Sequence, residues 1–272
     1  MRPPLRSGRL FGLAYRWHGP EGEPLLVLAG LLGDSRRLRR LGRDLSTQGP
    51  VLLVDPLGGG DSEVPHDPAA YRWDAQVDRL ERLLDALGLG AVDVLGLSLG
   101  GMWAQQLHLR APHRLRRAVL AASCVHATPR LRALLSNLRA QVQAGLPPLE
   151  LARWLIGLLF SPPFLDRPGA VALLESMLLD TEAPPAGLLG QIDAILAHDA
   201  RGRLGGLRAR VIGGALDWLL PPGDQMRLQQ EVGGAPIHLL PESGHCLWIE
   251  QPAAFAAAVA EALASWPRSQ SS

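Results

Sequence analysis

A serine between two glycines is the group in this sequence whose type and spacing point most directly to chemistry. In the segment Val92–Gly101, VDVLGLSLGG, Ser98 has Gly96 and Gly100 two residues away on either side. Where a strand turns directly into a helix, the residue at the turn has a strained backbone, and side chains two positions before and after it would collide. Glycine removes both collisions. We therefore expect Ser98 to be a nucleophile; the alternative is a serine that caps a helix between two packing glycines.

A serine hydroxyl needs a base to take its proton, and the base needs an acid that orients it. Of the eight histidines, His245 has the most suitable position, because it follows the last predicted strand and precedes the last predicted helix. Asp217 follows the strand predicted at 209–212, and Asp224 is a rival acid that we expect instead to cap the next helix. The order serine, aspartate, histidine is one of three orders in which such triads occur along a chain.

Two backbone N–H groups are needed where negative charge develops on an attacked carbonyl oxygen. We expect one from Leu99, directly after the serine, and the other from Leu31, in the loop that follows the second predicted strand. Gly30 would let that loop turn inward. Trp218 and Trp248 flank the predicted acid and base, and we take them as candidates for an apolar substrate pocket.

The elements that must position these groups alternate between strand and helix in the first half of the chain. Strands are predicted at Leu10–Trp17, Leu25–Ala29, Val51–Val54, Val92–Leu97 and Ala118–Ala121. Helices are predicted within Asp34–Gln48, where Asp34 or Ser35 would be the cap, and at Tyr71–Leu87 and Leu99–Arg110. This alternation is typical of βαβ units and therefore of a mainly parallel sheet.

Residues 125–204 interrupt the alternation, because they carry several amphipathic helical patterns and no convincing strand. We interpret them as a helical cap over the carboxyl edge of the sheet, where ligands bind in open α/β folds. The core would then comprise 1–124 and 205–268, with a disordered tail at 269–272. Its second part is predicted to contain a strand at 209–212, a helix near 224–231, a strand at 236–240 and a helix at 255–266.

Composition excludes several other functions. The chain has 272 residues and a formal net charge of +1, which gives no overall basic field for nucleic acid. All 27 basic residues are arginine, so a Schiff-base lysine, a P-loop lysine and a serine–lysine dyad are excluded. No metal-ligand motif and no dinucleotide motif is present, and we expect no cofactor.

The cysteines and the apolar segments indicate where the chain works. Cys124 and Cys246 form neither a disulfide framework nor a metal pattern, so buried free thiols are favoured, with a bridge left open. No uninterrupted apolar segment reaches the roughly 18 residues of a membrane span, and the first residues lack the apolar region of a signal peptide. We therefore expect a cytoplasmic protein.

Five segments together resemble the α/β-hydrolase superfamily: LLVLAGLLGDS, LLVDPLGGGDS, VDVLGLSLGGMWAQQLHLRAPHRLRRAVLAAS, RVIGGALDWLLPP and LLPESGHCLWIEQP. The resemblance implies a Ser-Asp-His triad, an eight-stranded sheet flanked by helices and a mobile cap. Within the superfamily, DPLGGGDSEVPHDPAAYRW, GLSLGGMWAQQ and LRRAVLAAS resemble intracellular depolymerases of medium-chain polyhydroxyalkanoates. Ala29-Gly30 replaces the common His-Gly before the oxyanion loop, a departure that concerns substrate more than catalysis.

These observations predict a serine hydrolase that cleaves carboxylic esters through an acyl-enzyme intermediate. Its preferred substrates would be medium-chain acyl or hydroxyacyl esters, either small molecules or an aliphatic polyester such as a polyhydroxyalkanoate. Alternatives are a general carboxylesterase for small esters, or cofactor-free haloperoxidation, C–C bond hydrolysis or acyl transfer on the same triad. A ligand receptor with a vestigial triad is the non-enzymatic alternative.

Overall fold

One sheet of eight strands runs through the protein. This computed structural model describes residues 7–179, 184–234 and 236–266, so the tail predicted to be disordered at 269–272 lies outside the described residues. The strands are β1 Ser7–Leu10, β2 Leu13–His18, β3 Leu25–Leu28, β4 Val51–Val54, β5 Val92–Leu97, β6 Leu115–Ala121, β7 Ala209–Gly214 and β8 His238–Leu240. Their order across the sheet is β1-β2-β4-β3-β5-β6-β7-β8. Strand β1 pairs antiparallel with β2 and β2 with β4, while every other pairing is parallel, so the predicted fold class is confirmed.

The parallel strands are apolar at nearly every position because both faces of the sheet are covered by helices. Successive side chains point to opposite faces. Leu26 and Leu28 of β3 therefore belong to one core cluster, and Val27 belongs to the other. Helices α2 (Trp73–Ala86) and α3 (Leu99–Arg110) contribute to the first cluster. Helix α1 (Arg39–Ser46) and the last helix contribute to the second.

The remaining helices are α4 Pro129–Gln143, α5 Pro148–Leu159, α6 Pro162–Leu165, α7 Ala170–Leu179, α8 Pro185–Ala197, α9 Pro222–Val232, α10 Leu247–Glu250 and α11 Pro252–Ala264. Six of these eight begin at a proline. Proline is suited to the first turn because its ring fixes φ near the helical value and because the first N–H groups have no partner inside the helix. Strands β5 and β4 and helix α3 have the predicted bounds.

The predicted strand Leu10–Trp17 is confirmed for Leu13–Trp17, which lie in β2, but it is not continuous, because Leu10 ends β1 and the chain turns back as a hairpin. Phe11 and Gly12 form the turn with φ of +53° and +84°. A two-residue turn with positive φ at both positions matches the twist of an antiparallel pair. Phenylalanine rarely adopts this conformation, so the residue types did not indicate a turn. The last strand is also shorter than the predicted 236–240, since β8 begins at His238.

The predicted capping of α1 is wrong as well. The helix begins at Arg39, after Leu38, and has no side-chain cap. Asp34 Oδ1 instead accepts a hydrogen bond from the N–H of Arg36 at 2.8 Å, within a turn that precedes the helix. Ser35 donates its N–H to Asp55 Oδ1 at 2.6 Å, so both candidate caps serve the loop between β3 and α1.

The five helices α4 to α8 lie in the segment 125–204, between β6 and β7. At the base of this segment, His126 and Asp199 form an isolated antiparallel bridge. Helix α8 also packs backbone to backbone against the core, since a Cβ on Gly187 would lie 2.3 Å from the carbonyl oxygen of Gly58. Across the described ranges, none of the helices combines the length and the apolar character needed to cross a membrane.

Candidate active site

Ser98 lies at the turn between β5 and α3 with a positive φ of +52°. A Cβ on Gly96 would lie 2.5 Å from the Cα of Gly101, and a Cβ on Gly100 would lie 2.0 Å from the carbonyl oxygen of Leu28 in β3. Both distances are far below van der Waals contact, so any side chain at either position would force the turn and the sheet apart. The steric reason for the two glycines is therefore present in the structure.

Three elements bring Ser98, His245 and Asp217 together at the carboxyl edge of the sheet. Ser98 Oγ lies 2.8 Å from His245 Nε2, and His245 Nδ1 lies 2.8 Å from Asp217 Oδ2. With the Nδ1 proton donated to the carboxylate, Nε2 is the acceptor for the serine hydroxyl. All three residues are buried. Such an arrangement can move a proton from the serine to the imidazole while the carboxylate stabilises the imidazolium.

The carboxylate of Asp217 has partners besides the histidine. Its Oδ1 accepts hydrogen bonds from the N–H groups of Leu219 at 2.9 Å and Leu220 at 2.8 Å. Gln225 of α9 donates its side-chain N–H to Oδ2 at 3.3 Å. These donors hold the carboxylate in one orientation. Asp224, the rival acid, lies in the first turn of α9 and does not contact the histidine; its carboxylate is 3.4 Å from the Thr128 hydroxyl.

The two backbone groups predicted to bind an oxyanion lie beside the serine. Within the described residues, the N–H groups of Leu31 and Leu99 donate to no acceptor. A Cβ on Gly30 would lie 3.3 Å from the Cβ of Ser98, so the loop passes close to the serine. The next residue of that loop, Leu32, has a positive φ of +56° and donates its N–H to Gln191 Oε1 at 2.9 Å.

An apolar cavity of about 170 Å³ opens above Ser98 and His245. Helices α4, α5, α7 and α8 provide one wall, chiefly with leucine side chains, and the loops after β3 and β8 provide the other. Among the described residues that line the cavity, Asp34 provides a carboxylate and Arg37 a guanidinium. Trp248 lines this cavity, whereas Trp218 does not and is 59% exposed. The prediction that Trp218 lines the pocket is therefore wrong, because this side chain is exposed to solvent.

Sequence reasoning missed three buried side chains that hold the loops of the site. Gln225 contacts the acid, Gln191 of α8 contacts the oxyanion loop, and Glu250 of α10 contacts the loop of the histidine. Glutamine and glutamate at helical positions give no local sign of such a role. Only a partner far away in sequence distinguishes them from ordinary polar positions.

The other buried titratable groups have structural surroundings. His198 is buried between α3 and α8, where Gln105 and Gln106 bond its ring nitrogens, and burial lowers its pKa to about 3. Burial raises the pKa of both thiols, Cys124 and Cys246, which are unbridged as favoured from the sequence. In the parts of the chain that the structure describes, no three or more His, Cys, Asp or Glu side chains are grouped so that they could hold a metal ion.

Asp55 directly follows β4 and is buried, and the pKa of its carboxyl group is unusual. Burial raises its pKa from 3.8 to about 6, although hydrogen bonds from Ser35 and Asp61 to the carboxylate act in the opposite direction. The carboxylate leaves no room for a side chain at position 60, because a Cβ on Gly60 would lie 2.3 Å from Asp55 Oδ2. The Asp55 carboxylate thus holds the loop between β3 and α1 from the core side, through its hydrogen bond from the N–H of Ser35.

Known proteins share this architecture along most of the chain. A Caulobacter segnis protein that is named as a carbamate hydrolase is 26% identical over 258 residues, which cover 92% of this chain and 96% of that protein. The crystal structure of a hydrolase from Pseudomonas aeruginosa PA01 has a TM-score of 0.82 and 31% identity, covering 92% of this chain and 94% of that one. The enol-lactonase from Burkholderia xenovorans LB400 has a TM-score of 0.81 and 25% identity, with coverage of 93% and 96%.

A family model also matches this chain over most of its length. The model that describes the alpha/beta hydrolase fold matches residues 23–252, which include the strand–turn–helix around Ser98 and the loops of Asp217 and His245. This range covers most of the chain, so the chain belongs to the alpha/beta hydrolase fold family.

Proposed function

We propose that the protein is a serine hydrolase that cleaves carboxylic esters of apolar, medium-chain acyl groups. The observation that carries the proposal is the hydrogen-bonded series of Ser98, His245 and Asp217, with 2.8 Å at each step, in which Ser98 and His245 line the apolar cavity. The enol-lactonase among the similar structures supports it, since a lactone is a cyclic ester. A non-enzymatic receptor would have no need for such an alignment.

In the proposed acylation step, Ser98 Oγ attacks the ester carbonyl carbon while His245 Nε2 takes the hydroxyl proton. The carbonyl oxygen becomes negative and accepts hydrogen bonds from the N–H groups of Leu31 and Leu99. Donors placed in advance stabilise this charge more effectively in a water-poor site than in bulk water. His245 then gives its proton to the departing alcohol oxygen, and an ester between Ser98 and the acyl group remains.

Deacylation repeats the sequence with water as the nucleophile. His245 takes a proton from the water, the new tetrahedral oxyanion uses the same two N–H groups, and the proton returns to Ser98 Oγ as the acid leaves. Asp217 keeps Nδ1 protonated throughout, because its carboxylate accepts that proton's hydrogen bond and is itself held by Leu219 and Leu220. No step requires a metal or an organic cofactor.

The cavity supports the apolar acyl group. We propose that residues 125–204 act as the cap, because four of their helices line the cavity with leucine, isoleucine, methionine and tryptophan. The cavity volume of about 170 Å³ is close to that of an engineered apolar cavity of about 150 Å³ that binds benzene. A chain of several methylene groups has comparable size, and each buried methylene contributes about 0.8 kcal/mol of transfer free energy.

The test is a series of p-nitrophenyl esters from acetate to dodecanoate, measured as kcat/KM. We expect kcat/KM to rise from acetate to a maximum at medium chain length, with Ser98→Ala lacking turnover on every ester. A clearing assay on dispersed medium-chain polyhydroxyalkanoate addresses the polymer. A maximum at acetate with no clearing would remove the medium-chain and polyester proposals, whereas full activity of Ser98→Ala would remove the serine hydrolase itself.

A carbamate hydrolase is a second candidate, favoured by the name of the Caulobacter segnis relative and its 26% identity along the chain. The same serine, histidine and oxyanion groups could attack a carbamate carbonyl. The apolar lining argues against a small polar substrate, since it offers few hydrogen-bond partners beyond the reacting groups. Adding an N-unsubstituted p-nitrophenyl carbamate to the series compares the two candidates with one leaving group.

A further inference from the structure

The carboxylate of Glu250 is buried beside the loop that carries His245. Glu250 ends the short helix α10 and is 3% exposed. Its Oε1 accepts a hydrogen bond from the N–H of Gly244 at 2.9 Å. Its Oε2 accepts from the N–H of Ser161 at 3.1 Å and lies 2.5 Å from the Ser161 hydroxyl. One carboxylate therefore bonds both the histidine loop and the junction between α5 and α6.

The same junction also bonds the histidine loop directly. The carbonyl oxygen of Leu159, at the end of α5, accepts hydrogen bonds from the N–H of His245 at 2.9 Å and the N–H of Cys246 at 3.2 Å. The three successive N–H groups at 244–246 therefore donate to Glu250 or to α5, and none of them donates to the sheet. The backbone of the proposed base is held from the cap side.

This contact leaves no spare room. Ser161 is fully buried, and a Cβ on Gly244 would lie 2.7 Å from the N of Ser161 and 2.9 Å from Glu250 Oε1. A buried carboxylate that loses its donors becomes strongly unfavourable, because removing one partner of a buried charge leaves that charge without compensation. Removal of Glu250 would therefore leave the N–H groups of Gly244 and Ser161 without the acceptor that they share.

We propose that Glu250 is a positioning residue that fixes His245 against Ser98 by tying the general-base loop to the cap. The proposal rests on the proposed function, in which His245 Nε2 takes the serine proton. Glu250 touches neither of the two reacting side chains in the described contacts, and it acts through the backbone of Gly244 and through Ser161. The position of the proposed cap at Ser161 is thereby linked to the position of the loop that carries His245.

The expected kinetic effect lies on kcat. Displacement of a reacting group by about 1 Å can lower a rate by about 100-fold. We expect Glu250→Ala to lower kcat on the preferred p-nitrophenyl ester by roughly 10- to 100-fold. KM should change by less than about threefold, because the Leu159 carbonyl still bonds the N–H groups of His245 and Cys246 and keeps the leucines of α5 against the site. Glu250→Gln, whose amide oxygen can serve one side of the bridge, should recover part of this loss. Ser161→Ala keeps the backbone N–H to Glu250 and should have the smallest effect.

A matched control separates positioning from stability. Val77 is buried in α2 on the far face of the sheet, and Val77→Ala loses packing without touching the site. Melting temperatures of all variants are measured, and kcat is scaled to active sites that react with a fluorophosphonate. If Glu250→Ala and Glu250→Gln keep the wild-type kcat, or lose no more than Val77→Ala at equal loss of stability, Glu250 has a structural role alone and the proposal is overturned. Should Glu250→Ala fail to fold, Glu250→Gln is compared with Val77→Ala in the same way, and a wild-type kcat in Glu250→Gln would overturn the positioning role.

A second readout does not need turnover. The hydrogen-bonded Nδ1–H of His245 should give a low-field proton resonance, which His245→Ala assigns by its loss. We expect this resonance to shift or broaden in Glu250→Ala and to stay unchanged in Val77→Ala; an unchanged resonance in both variants counts against the positioning role. Absence of ester turnover in the wild type would instead contradict the proposed function, so the two failures are distinguishable.

Discussion

The proposed nucleophile and the proposed base of this site are held by different parts of the molecule. Ser98 is fixed by the core, where backbone atoms of β3, β5 and α3 approach so closely that Gly96 and Gly100 admit no side chain. His245 and the oxyanion loop are fixed from the segment 125–204, through Leu159, Ser161 and Gln191. The comparison teaches that one half of the site is built by steric exclusion within the sheet and the other by hydrogen bonds to a remote segment.

These two kinds of support respond differently to change. Backbone contact offers no relaxation, so a substitution in the turn of Ser98 acts on folding as a whole. A single hydrogen bond typically contributes about 0.5–1.5 kcal/mol, so its loss leaves a folded protein with a displaced loop. We therefore expect substitutions of Gly96 and Gly100 to change stability and substitutions at the cap-side contacts to change the rate.

The largest effect is expected for Ser98→Ala, which removes the proposed nucleophile and leaves the surrounding backbone contacts intact. Removing the nucleophile of a triad costs up to about 10⁶ in kcat in a well-studied protease, so we expect a loss of at least about 10⁴. Stability should change little, because alanine keeps the Cβ at the strained positive φ and only the hydroxyl's hydrogen bond with His245 Nε2 is lost. Ester hydrolysis and urea unfolding measure both quantities. Ser98→Gly is the control: it should be inactive and more stable than the wild type.

Gly100→Ala tests the steric half of the comparison. Its Cβ would lie 2.0 Å from the carbonyl oxygen of Leu28, and overpacking of a tight site costs about 1–3 kcal/mol or more. We expect a lower urea midpoint and little folded protein at 37 °C. Gly157→Ala is a suitable control, since a Cβ there meets nothing within 4 Å. Equal stability of the two variants would contradict steric exclusion at the turn.

Gln191→Leu tests the cap-side half. It removes the acceptor of the Leu32 N–H and the donor to the Leu57 carbonyl, so the oxyanion loop loses its tie to α8. We expect kcat to fall roughly tenfold, the equivalent of one hydrogen bond of about 1.4 kcal/mol. Gln229→Leu is a matched control, because Gln229 likewise bonds one backbone N–H and one carbonyl, at Val211 and Gly233. The same loss of kcat in both variants would show a general effect of destabilisation.

Asp55→Asn should have the smallest effect on kcat, because its effect should appear in stability rather than in rate. The pKa of Asp55 is raised in the folded state from 3.8 to about 6, so the folded protein binds the proton more tightly than the unfolded chain. Its contribution is therefore greatest below pH 4 and is lost as pH rises toward 6, by up to about 3 kcal/mol in the unfolding free energy. Urea unfolding at pH 4.5, 5.5 and 7 should show that Asp55→Asn lacks this decline. A difference between variant and wild type that stays constant with pH would oppose the assignment.

Prediction from sequence succeeded where the determining contacts are local. Apolar runs between turn residues located β4 and β5, and a glycine pattern located the turn of Ser98, because each depends on residues within a few positions. Prediction failed at the hairpin turn of Phe11 and Gly12, where pairing of β1 with β2 imposes a positive φ on a phenylalanine. It also failed at Asp34 and Ser35, because the buried Asp55 competes for the serine that would otherwise cap α1.

The sequence by itself determined the fold class, the position of Ser98 and the order of the serine, acid and histidine, since these follow from periodicity and from motifs along the chain. Only the tertiary structure decided which side chains hold the loops of the site. Gln191 meets Leu32 across 159 residues, and Glu250 meets Ser161 across 89 residues. Such contacts leave no local pattern, because a buried glutamine or glutamate is defined by the donors and acceptors that the fold brings to it.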